Sequence, residues 1–544
     1  MSKEKAFTDP AQERSTPWTP LSNPVFRALW IAALVSNVGT WMQNTAMAWL
    51  MATISPSALM VSLVQTAASF PMFLLALPAG ALADVMDRRR IIIMTQTWML
   101  AAAIVLGVLT IMGMTTPWLL LLLVLALGLG TGLNAPAWQA IVPDLVTRSQ
   151  VRPAVALNSA GFNLARAFGP ALGGFSLVAL GAGATFLINA ASFLGVIFVL
   201  FFWKRPVRES ALPAERIFAA MRTGIRFVRY APALQAVFVR AFCFIACASS
   251  LIALLPIFTR NSLKAGSGEY GLLLGAFGLG AVAAMAVLSW ILQRISFNRL
   301  ALCTTLVFAA SLSFIAFVPI FALDMAVVFF AGASWLALLS NFNSSVQSIA
   351  PAWVRGRCLA VYMLVFFGGT AIGSFLWGAV ADITGIPGAL HLSATGLVLG
   401  LLTSRWFKLV SGDRIDITPS EHWPAPSVAL EPSMDEGPVM VVVEYSIDPA
   451  DWRAFGTAMK RLRRARLRGG AFRWAVFVDI SDPSKYCETF FVESWVEHLR
   501  QHERVIVADV EIEQAVHAFH RLEGRPVVRH MLTRSLPKES KPGG

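Results

Sequence analysis

The stretch Gly80-Ala81-Leu82-Ala83-Asp84-Val85-Met86-Asp87-Arg88-Arg89-Arg90 lies where two apolar segments meet, residues 58–82 and 91–113. Each segment is long enough to cross a bilayer, since a spanning helix needs about 20 mostly apolar residues. Small residues let helices approach closely, and a carboxylate followed by three arginines places dense charge at the membrane interface. This pattern predicts a gate between moving helices rather than a passive loop.

The composition divides the chain into a membrane part and a tail. Of 544 residues, 56% are hydrophobic and 14% are charged, and the mean hydropathy is +0.64. Residues 1–410 carry 26 Lys and Arg against 11 Asp and Glu, whereas residues 411–544 carry 18 against 20. The basic excess lies in short connectors between apolar segments, where membrane orientation explains it better than nucleic-acid binding. We therefore predict a lipid-embedded body, a domain boundary near Ser411 and no nucleic-acid partner.

Twelve apolar stretches are long enough to span a membrane, six on each side of a basic connector. The connector is partly amphipathic, and we expect a helix there that lies on the membrane surface. Two six-helix halves joined in this way are an architecture of secondary transporters. The predicted spans are 27–50, 58–82, 91–113, 117–137, 154–180, 184–203, 233–258, 268–293, 300–320, 325–349, 359–382 and 388–410.

The distribution of cations predicts the orientation. Lys and Arg cluster in alternate connectors, and the opposite connectors hold only Arg260 and Lys264. By the positive-inside tendency, both termini are cytoplasmic and the protein is a multi-pass protein of the cytoplasmic (inner) membrane.

These features give the predicted domain organisation. The predicted parts are a cytoplasmic N-terminal segment 1–24, an N-terminal half 25–203, a cytoplasmic linker 204–232, a C-terminal half 233–410, a second linker 411–437, a cytosolic α+β domain 438–535 and a disordered end 536–544.

Two motifs carry a family resemblance. Gly80, Leu82, Ala83, Asp84, Arg88 and Arg89 resemble the loop between helices 2 and 3 of the major facilitator superfamily, although Asp87 replaces the usual second glycine and Val85 the usual basic residue. Gly169-Pro170-Ala171-Leu172-Gly173-Gly174 resembles the helix-5 motif of exporters in that superfamily.

A narrower resemblance rests on residues 135–146, Asn158, Asn163, Ala165, Arg166 and residues 189–194. Together they look like the enterobactin exporter branch, which exports drugs and siderophores. The resemblance covers roughly residues 20–410. It implies a twelve-helix major facilitator fold, efflux of a small organic molecule, and an antiporter driven by an ion gradient, with the proton as the coupling ion.

The gate residues follow from the two motifs. Asp84 is expected to accept hydrogen bonds from amides at the start of helix 11 when the inner side is closed, because a helix N-terminus favours an anion. The glycines of helix 5 allow close packing, and Pro170 bends the helix. The predicted gating residues are Gly80, Asp84, Arg88, Arg89, Gly169, Pro170, Gly173 and Gly174.

Polar residues inside spans are the candidates for a substrate cavity. Arg166 and Arg240 would attract an anionic group, or they would neutralise a helix end; amides in such positions also commonly bridge neighbouring helices. The full set is Arg166, Asn37, Gln43, Asn44, Asn134, Arg240, Asn341 and Asn343. Since Asp84, Glu269, Asp324 and Asp382 all lie near span ends, no carboxylate suggests a proton carrier, and proton coupling rests on the resemblance alone.

The tail alternates strands and helices after a proline-rich linker. Its order is similar to ferredoxin-like domains that pair as dimeric α/β barrels, a family that includes cofactor-free monooxygenases. His498 and His502 lie one helical turn apart, but such pairs are mostly surface residues, and the five cysteines have no metal-site spacing. We therefore predict no metal, no cofactor and no catalytic residue.

The sequence thus favours a transporter rather than an enzyme. Its partners would be a small-molecule substrate, the lipid bilayer and a proton. Two other hypotheses concern the tail: that it is an enzyme or ligand sensor acting on the exported compound, or that it only mediates dimerisation.

Overall fold

A computed structural model of the chain describes residues 16–203, 217–410, 416–418, 420, 422–423 and 432–533. The predicted segments 1–24, 204–232, 411–437 and 438–535 lie partly outside these ranges, and the predicted end 536–544 lies wholly outside them.

Long apolar helices dominate the first 400 residues. Ten helices in the described ranges are long and apolar enough to cross a membrane, and α6 is a short amphipathic helix. The helices are α1 Pro24–Ile54, α2 Ala58–Val85, α3 Arg88–Ile111, α4 Pro117–Ile141, α5 Val151–Phe202, α6 Ile217–Arg229, α7 Pro232–Asn261, α8 Ser267–Leu292, α9 Phe297–Phe317, α10 Phe321–Ile349 and α11 Ala352–Gly400.

Two of these helices are each interrupted by one glycine. α5 has 52 residues and is non-helical at Gly181, where φ is 78°, and α11 has 49 residues and is non-helical at Gly385, where φ is 76°. Glycine adopts this left-handed conformation without a side-chain clash. The interruptions fall between predicted spans 5 and 6 and between predicted spans 11 and 12.

Capping side chains fix where several helices begin. Asn23 accepts hydrogen bonds from the amides of Val25 and Phe26, and Ser57 accepts one from Met60 at 3.2 Å. Asp87 likewise accepts a hydrogen bond from the Arg89 amide at 2.9 Å. These caps satisfy amides that have no partner within their own helix, so the polar residues between spans set the helix boundaries.

The tail contains a four-stranded antiparallel sheet. Its strands are β1 Val439–Ser446, β2 Phe472–Val478, β3 Lys485–Val492 and β4 Val527–Leu532, in the spatial order β2-β3-β1-β4. Helices α12 Trp452–Gly469, α13 Trp495–Arg504 and α14 Val507–His517 complete it.

One face of this sheet forms the core of the tail. Val441, Tyr445 and Phe490 from the strands join Phe455 of α12 and Trp495 of α13 in one buried cluster. Directly opposed residues on neighbouring antiparallel strands share a face.

Cα packing divides the described residues into two compact units. The first comprises residues 16–203, 240–341 and 363–403; the second comprises 217–239, 342–362 and the described part of 404–533. The second unit therefore contains α6 and the start of α11 as well as the tail.

Candidate functional site

A carboxylate of α11 caps the start of α2. The Asp382 carboxylate accepts hydrogen bonds from the Ser57 hydroxyl at 2.7 Å, the Ala58 amide at 2.6 Å and the Leu59 amide at 3.3 Å. A negative charge is favourable at a helix N-terminus because of the exposed amides and the helix dipole. The bundle end that holds this turn between α1 and α2 is called the Ser57 end below.

The contact between α2 and α11 continues away from the Ser57 end. The Thr66 hydroxyl donates to the Ala371 carbonyl at 3.1 Å. A methyl group on Gly368 would lie 2.8 Å from the Phe73 ring. From residue 57 to residue 73 the contact covers roughly 24 Å of helix at about 1.5 Å per residue. A methyl group on Gly80 would meet no atom within 4 Å in the described part of the chain, so no close contact is present at that position.

A second close contact joins α5 to α8. A methyl group on Gly174 would lie 2.7 Å from the Cα of Gly271, and one on Gly278 would lie 2.9 Å from the Cα of Ala167. Real Cβ atoms do not approach backbone this closely, so glycine is required for the approach. The Arg260 guanidinium of α7 also donates to the Ala52 carbonyl at the end of α1. In the described part of the chain, helices from residues 1–203 and 232–400 are thus joined at the pairs α2–α11, α5–α8 and α1–α7, and also at α1–α8, where Trp49 stacks on Tyr270.

The other predicted glycines of α5 pack against α1. A methyl group on Gly169 would lie 2.5 Å from the Cβ of Trp41, and one on Gly173 would lie 2.8 Å from the Cα of Met42. Pro170 lies between them inside the helix. The motif therefore places one face of α5 against α1 and an adjacent position, Gly174, against α8.

The arginines after α2 bind the ends of two other helices. Arg88 donates to the Ala140 carbonyl at 2.9 Å and lies 3.3 Å from the Asp144 carboxylate. Arg89 donates to the carbonyls of Leu200 at 2.6 Å and Phe201 at 2.8 Å. Cations stabilise the unpaired carbonyls of a helix C-terminus. Asp84 lies in the last turn of α2, and its side chain is outside the described residues.

Several predicted cavity residues form hydrogen bonds to neighbouring helices. The buried Gln43 accepts a hydrogen bond from Asn189 at 2.9 Å, and Asn134 accepts one from Thr95 at 3.1 Å. Arg240 of α7 donates to Asn298 of α9 at 2.7 Å, and Asn341 of α10 donates to the Phe297 carbonyl of α9 at 3.4 Å. Asn343 differs, since it accepts a hydrogen bond from Gln347 of the same helix at 2.6 Å.

Arg166, Asn37 and Asn44 are placed differently. Arg166 is half-buried, and its guanidinium carbon lies 5.9 Å from the centre of the Trp41 ring. Asn37 is half-buried and Asn44 is exposed. Arg166 forms no salt bridge with any described carboxylate.

Sequence reasoning missed Asp382 and Asp324 because both lie near span ends. A signal for Asp382 was present, since Gly378-Ala379-Val380-Ala381-Asp382 repeats the pattern of Gly80-Ala81-Leu82-Ala83-Asp84. Asp324 lies in the first turn of α10 and is fully buried, and neither carboxylate oxygen accepts a well-formed hydrogen bond from the described residues.

The core of the tail holds a buried ionic network. Arg466 lies 3.3 Å from the Glu488 carboxylate and 2.6 Å from that of Glu513. Burial alone would lower the pKa of Arg466, but the two glutamates raise it overall. Burial would raise the pKa of Glu513, whereas Arg466 and hydrogen bonds from Trp423 and His422 hold it below its ordinary value. Each charge is paired, as buried charges require.

The histidines of the tail depart from the prediction. His498 was expected at the surface but is 1% exposed. The face of α13 that carries Trp495 and His498 packs toward the sheet. The order of residues along this helix alone does not predict that packing. His530 of β4 lies beside them, and the centre of its ring is 4.6 Å from the centre of the His498 ring.

Comparison with known proteins places the chain among membrane transporters. A family model described as a transmembrane secretion effector matches residues 15–538. The staphyloferrin A transporter of Staphylococcus aureus is 24% identical over 353 residues, 64% of this chain and 87% of the relative. The multidrug efflux pump Tap of Mycolicibacterium fortuitum is 26% identical over 68% of this chain and 93% of its own length. The enterobactin exporter EntS of Salmonella typhimurium is 25% identical over 70% of this chain and 92% of its own length.

Solved structures agree on the fold. A bacterial homologue of the human lysosomal transporter Spinster, in an inward-facing and unoccupied conformation, gives a TM-score of 0.55 at 14% identity and covers 71% of this chain and 98% of its own. The nucleoside transporter NupG gives 0.55 at 12% identity, covering 70% and 98%. The chain belongs to the transmembrane secretion effector family of the major facilitator superfamily.

Proposed function

We propose that the protein exports a small organic molecule, a siderophore or a drug-like compound, by alternating access across the cytoplasmic membrane. Two findings support export. The chain belongs to a transporter family, and three of its relatives are named as transporters of staphyloferrin A, of enterobactin and of multiple drugs. The observation that carries the mechanism is the contact between α2 and α11, which is close at the Ser57 end, whereas Gly80 makes no close contact with the described residues. A bundle packed at one end is one of the two states that alternating access needs.

We infer that α5 and α11 each cross the membrane twice, which gives twelve passes in two six-helix halves. A helix of 52 residues would extend about 78 Å, more than twice the roughly 30 Å hydrocarbon layer. Gly181 and Gly385 interrupt these helices at interior positions that fall between predicted spans, where a turn between two passes is required.

The charge distribution gives this arrangement a direction. Cations concentrate at the end opposite Ser57, which is therefore cytoplasmic by the positive-inside tendency, with both termini inside. The Ser57 end is then the outer face, and the structure corresponds to a state closed to the outside. In the opposite state Asp84 takes the role at the inner face that Asp382 plays at the outer face.

The substrate is most consistent with an anionic group next to an aromatic or apolar body. The supporting feature is Arg166, which lies beside Trp41 on the face that α5 presents to α1. A guanidinium without a carboxylate partner in an apolar surrounding favours binding of an anion. Asn37 and Asn44 add hydrogen-bonding groups from α1.

Proton coupling is proposed to act through Asp324. A membrane-buried carboxyl group with few hydrogen-bond donors is a typical proton carrier, because its charged form is costly to bury. Among the described residues, Asp324 is fully buried, and its carboxylate has a contact with the Ile320 backbone but no well-formed hydrogen bond. The coupled process would be an antiport of substrate against protons.

For the tail we propose a ferredoxin-like domain with a regulatory role. The strand order β2-β3-β1-β4 with helices after β1 and β3 fits that fold. Within the second unit, Arg504 stacks on Trp353 at 4.5 Å and Arg222 lies 3.6 Å from Glu493, so the tail contacts both α6 and the start of α11. A monooxygenase-like enzyme and a pure dimerisation module remain the alternatives for this domain.

Export is tested in inverted membrane vesicles from cells that carry or lack the gene. Compounds that accumulate in cells lacking the protein are identified by mass spectrometry and then offered to vesicles with an imposed proton gradient. Gradient-dependent uptake is the expected result. Absence of any transported compound, with the protein present in the membrane, would contradict an exporter.

Arg166→Ala tests the substrate contact, and Arg166→Lys is its matched control because it keeps the charge. The alanine variant is expected to weaken transport of an anionic compound by about tenfold or more, since a charged hydrogen bond contributes about 1.5–3 kcal/mol. Equal effects on anionic and neutral compounds would show that Arg166 serves packing.

A further inference from the structure

The side chains of three histidines of the tail lie close together. His498 and His502 lie one turn apart on α13, and His530 lies on β4. One ring nitrogen from each lies within 4.8 Å of the other two. The register places His530 opposite Val441, whose side chain is buried, so its ring points to the same face of the sheet as α13.

The spacing of the first two rings matches a coordination geometry. The Nε2 atoms of His498 and His502 are 3.3 Å apart. Two nitrogens bound to one Zn²⁺ at 2.0–2.1 Å in a tetrahedral arrangement lie about 3.3–3.4 Å apart. A hydrogen bond between the two rings would also explain why they lie close together, although the distance between their nitrogens is long for such a bond. It would not explain the third ring.

The surroundings hold the rings in the form that binds metal. Burial, with added repulsion from His530, lowers the pKa of His498 to about 3 and that of His502 to about 4. Burial also lowers the pKa of His530. A neutral imidazole is the form of histidine that binds a metal ion.

Arg466 opposes a positive charge at this site, and Glu513 offsets that effect in part at His502. Arg466 is the cation that acts on His498 and His502, but it is paired with both Glu488 and Glu513. These three groups together carry a net charge of −1. The walls of the site are aromatic, with the Trp495 ring 5.4 Å from His498 and the Trp423 ring 4.9 Å from His502.

We propose that His498, His502 and His530 form a binding site for a divalent transition metal, with Zn²⁺ as the best match. Each ring supplies one nitrogen, and the fourth position of a tetrahedral ion stays open to water or to another ligand. A bound ion would join α13 to the edge strand β4 and so stiffen the part of the tail that contacts Trp353.

The test uses the full-length protein in detergent, purified without a polyhistidine tag and stripped with a chelator. Zn²⁺ alone is added, excess is removed, and bound metal is counted by mass spectrometry. Co²⁺ is then substituted and its absorption recorded. One equivalent of metal and a tetrahedral nitrogen-ligand spectrum are expected.

Variants separate this site from other ligands. His502→Gln should lower the affinity for Zn²⁺ at least about 100-fold, since even indirect supports of a metal site are worth 10–100-fold. His517→Gln, a half-buried histidine outside the cluster, should leave affinity unchanged. If His502→Gln does not fold, His530→Gln on the edge strand replaces it. The proposal fails if no metal is retained, if cobalt shows thiolate bands, or if the cluster variant binds as tightly as the control.

Discussion

At the scale of single residues, Asp382 joins the two helices whose contact we propose to close the Ser57 end. Its carboxylate belongs to α11 but satisfies the first amides of α2, so this cap exists only while the two helices are together. A cap of this kind contributes about 0.5–2 kcal/mol. The closed Ser57 end therefore depends on a charge that the other helix supplies.

Asp382→Asn should weaken that closure while keeping the shape of the side chain. A loss of about 1 kcal/mol would lower the closed population about fivefold relative to the open one. The measurement is the distance distribution between spin labels at positions 53 and 383 in a cysteine-free background. Glu269→Gln is the control, because Glu269 caps its own helix through the Gly266 amide at 3.0 Å. Equal distributions in the two variants would remove Asp382 from the gate.

Asp324→Asn tests the proton carrier. If Asp324 takes up and releases the coupled proton, the variant should lose transport driven by a pH gradient and keep exchange of substrate across the membrane without a gradient. Both are measured in the same proteoliposomes. Gradient-driven transport at the native rate would assign coupling to another group.

The buried histidines predict how the stability of the tail depends on pH. His498, with its pKa lowered to about 3, and His502, at about 4, stay neutral in the folded tail. The unfolded chain takes up protons below about pH 6.5, so the free energy of unfolding should fall as pH falls from 6.5 toward 4. Denaturant unfolding with chelator present measures this. The His502→Gln variant should show a weaker dependence, and an identical dependence would contradict the assignment.

At the scale of elements, the contact of α5 with α8 requires glycine. Gly174→Ala would place a methyl group 2.7 Å from the Gly271 Cα. Inserted methyl groups in such a contact cost about 1–3 kcal/mol. The variant should therefore shift the same spin-label pair to longer distances and slow efflux. Gly195→Ala is the matched control on α5, since its methyl group would meet Ala32 at an ordinary 3.6 Å. Equal efflux in both variants would show that this contact does not limit transport.

Sequence reasoning predicted apolar helices and a tail that contains strands, but it did not predict which residues contact each other across these elements. Apolar length, capping residues and alternation are local properties, so α1 begins at Pro24 after its Asn23 cap and β1 begins at Val439. The partner of Asp382 lies 324 residues away at Ala58, and the partner of His498 lies on β4. Such pairs depend on tertiary packing, which a pattern along one element does not contain.

At the scale of the whole molecule, transport depends to different degrees on the helical bundle and on the tail. Alignments of 353–385 residues cover 87–92% of the length of the staphyloferrin A transporter and of EntS, but only 64–70% of this chain. These relatives therefore transport their substrates although their chains have little length left for an additional domain. The family model, however, extends to residue 538 and so includes the tail; the regulatory role that we proposed for the tail is tested by removing it.

Ending the chain after residue 410 should leave insertion intact and raise the initial rate of efflux. The tail holds the start of α11 through Arg504 and Trp353 and holds α6 through Arg222 and Glu493. The partly buried contact of Arg504 with Trp353 contributes about 1 kcal/mol and the exposed ion pair of Arg222 with Glu493 less, so a rate increase of about two- to tenfold is expected when they are lost. Arg504→Ala, which removes the contact with Trp353, should give a smaller increase in the full chain. Efflux from inverted vesicles, normalised to the amount of protein in the membrane, measures both, and an unchanged rate in the shortened chain would show that the tail does not regulate transport.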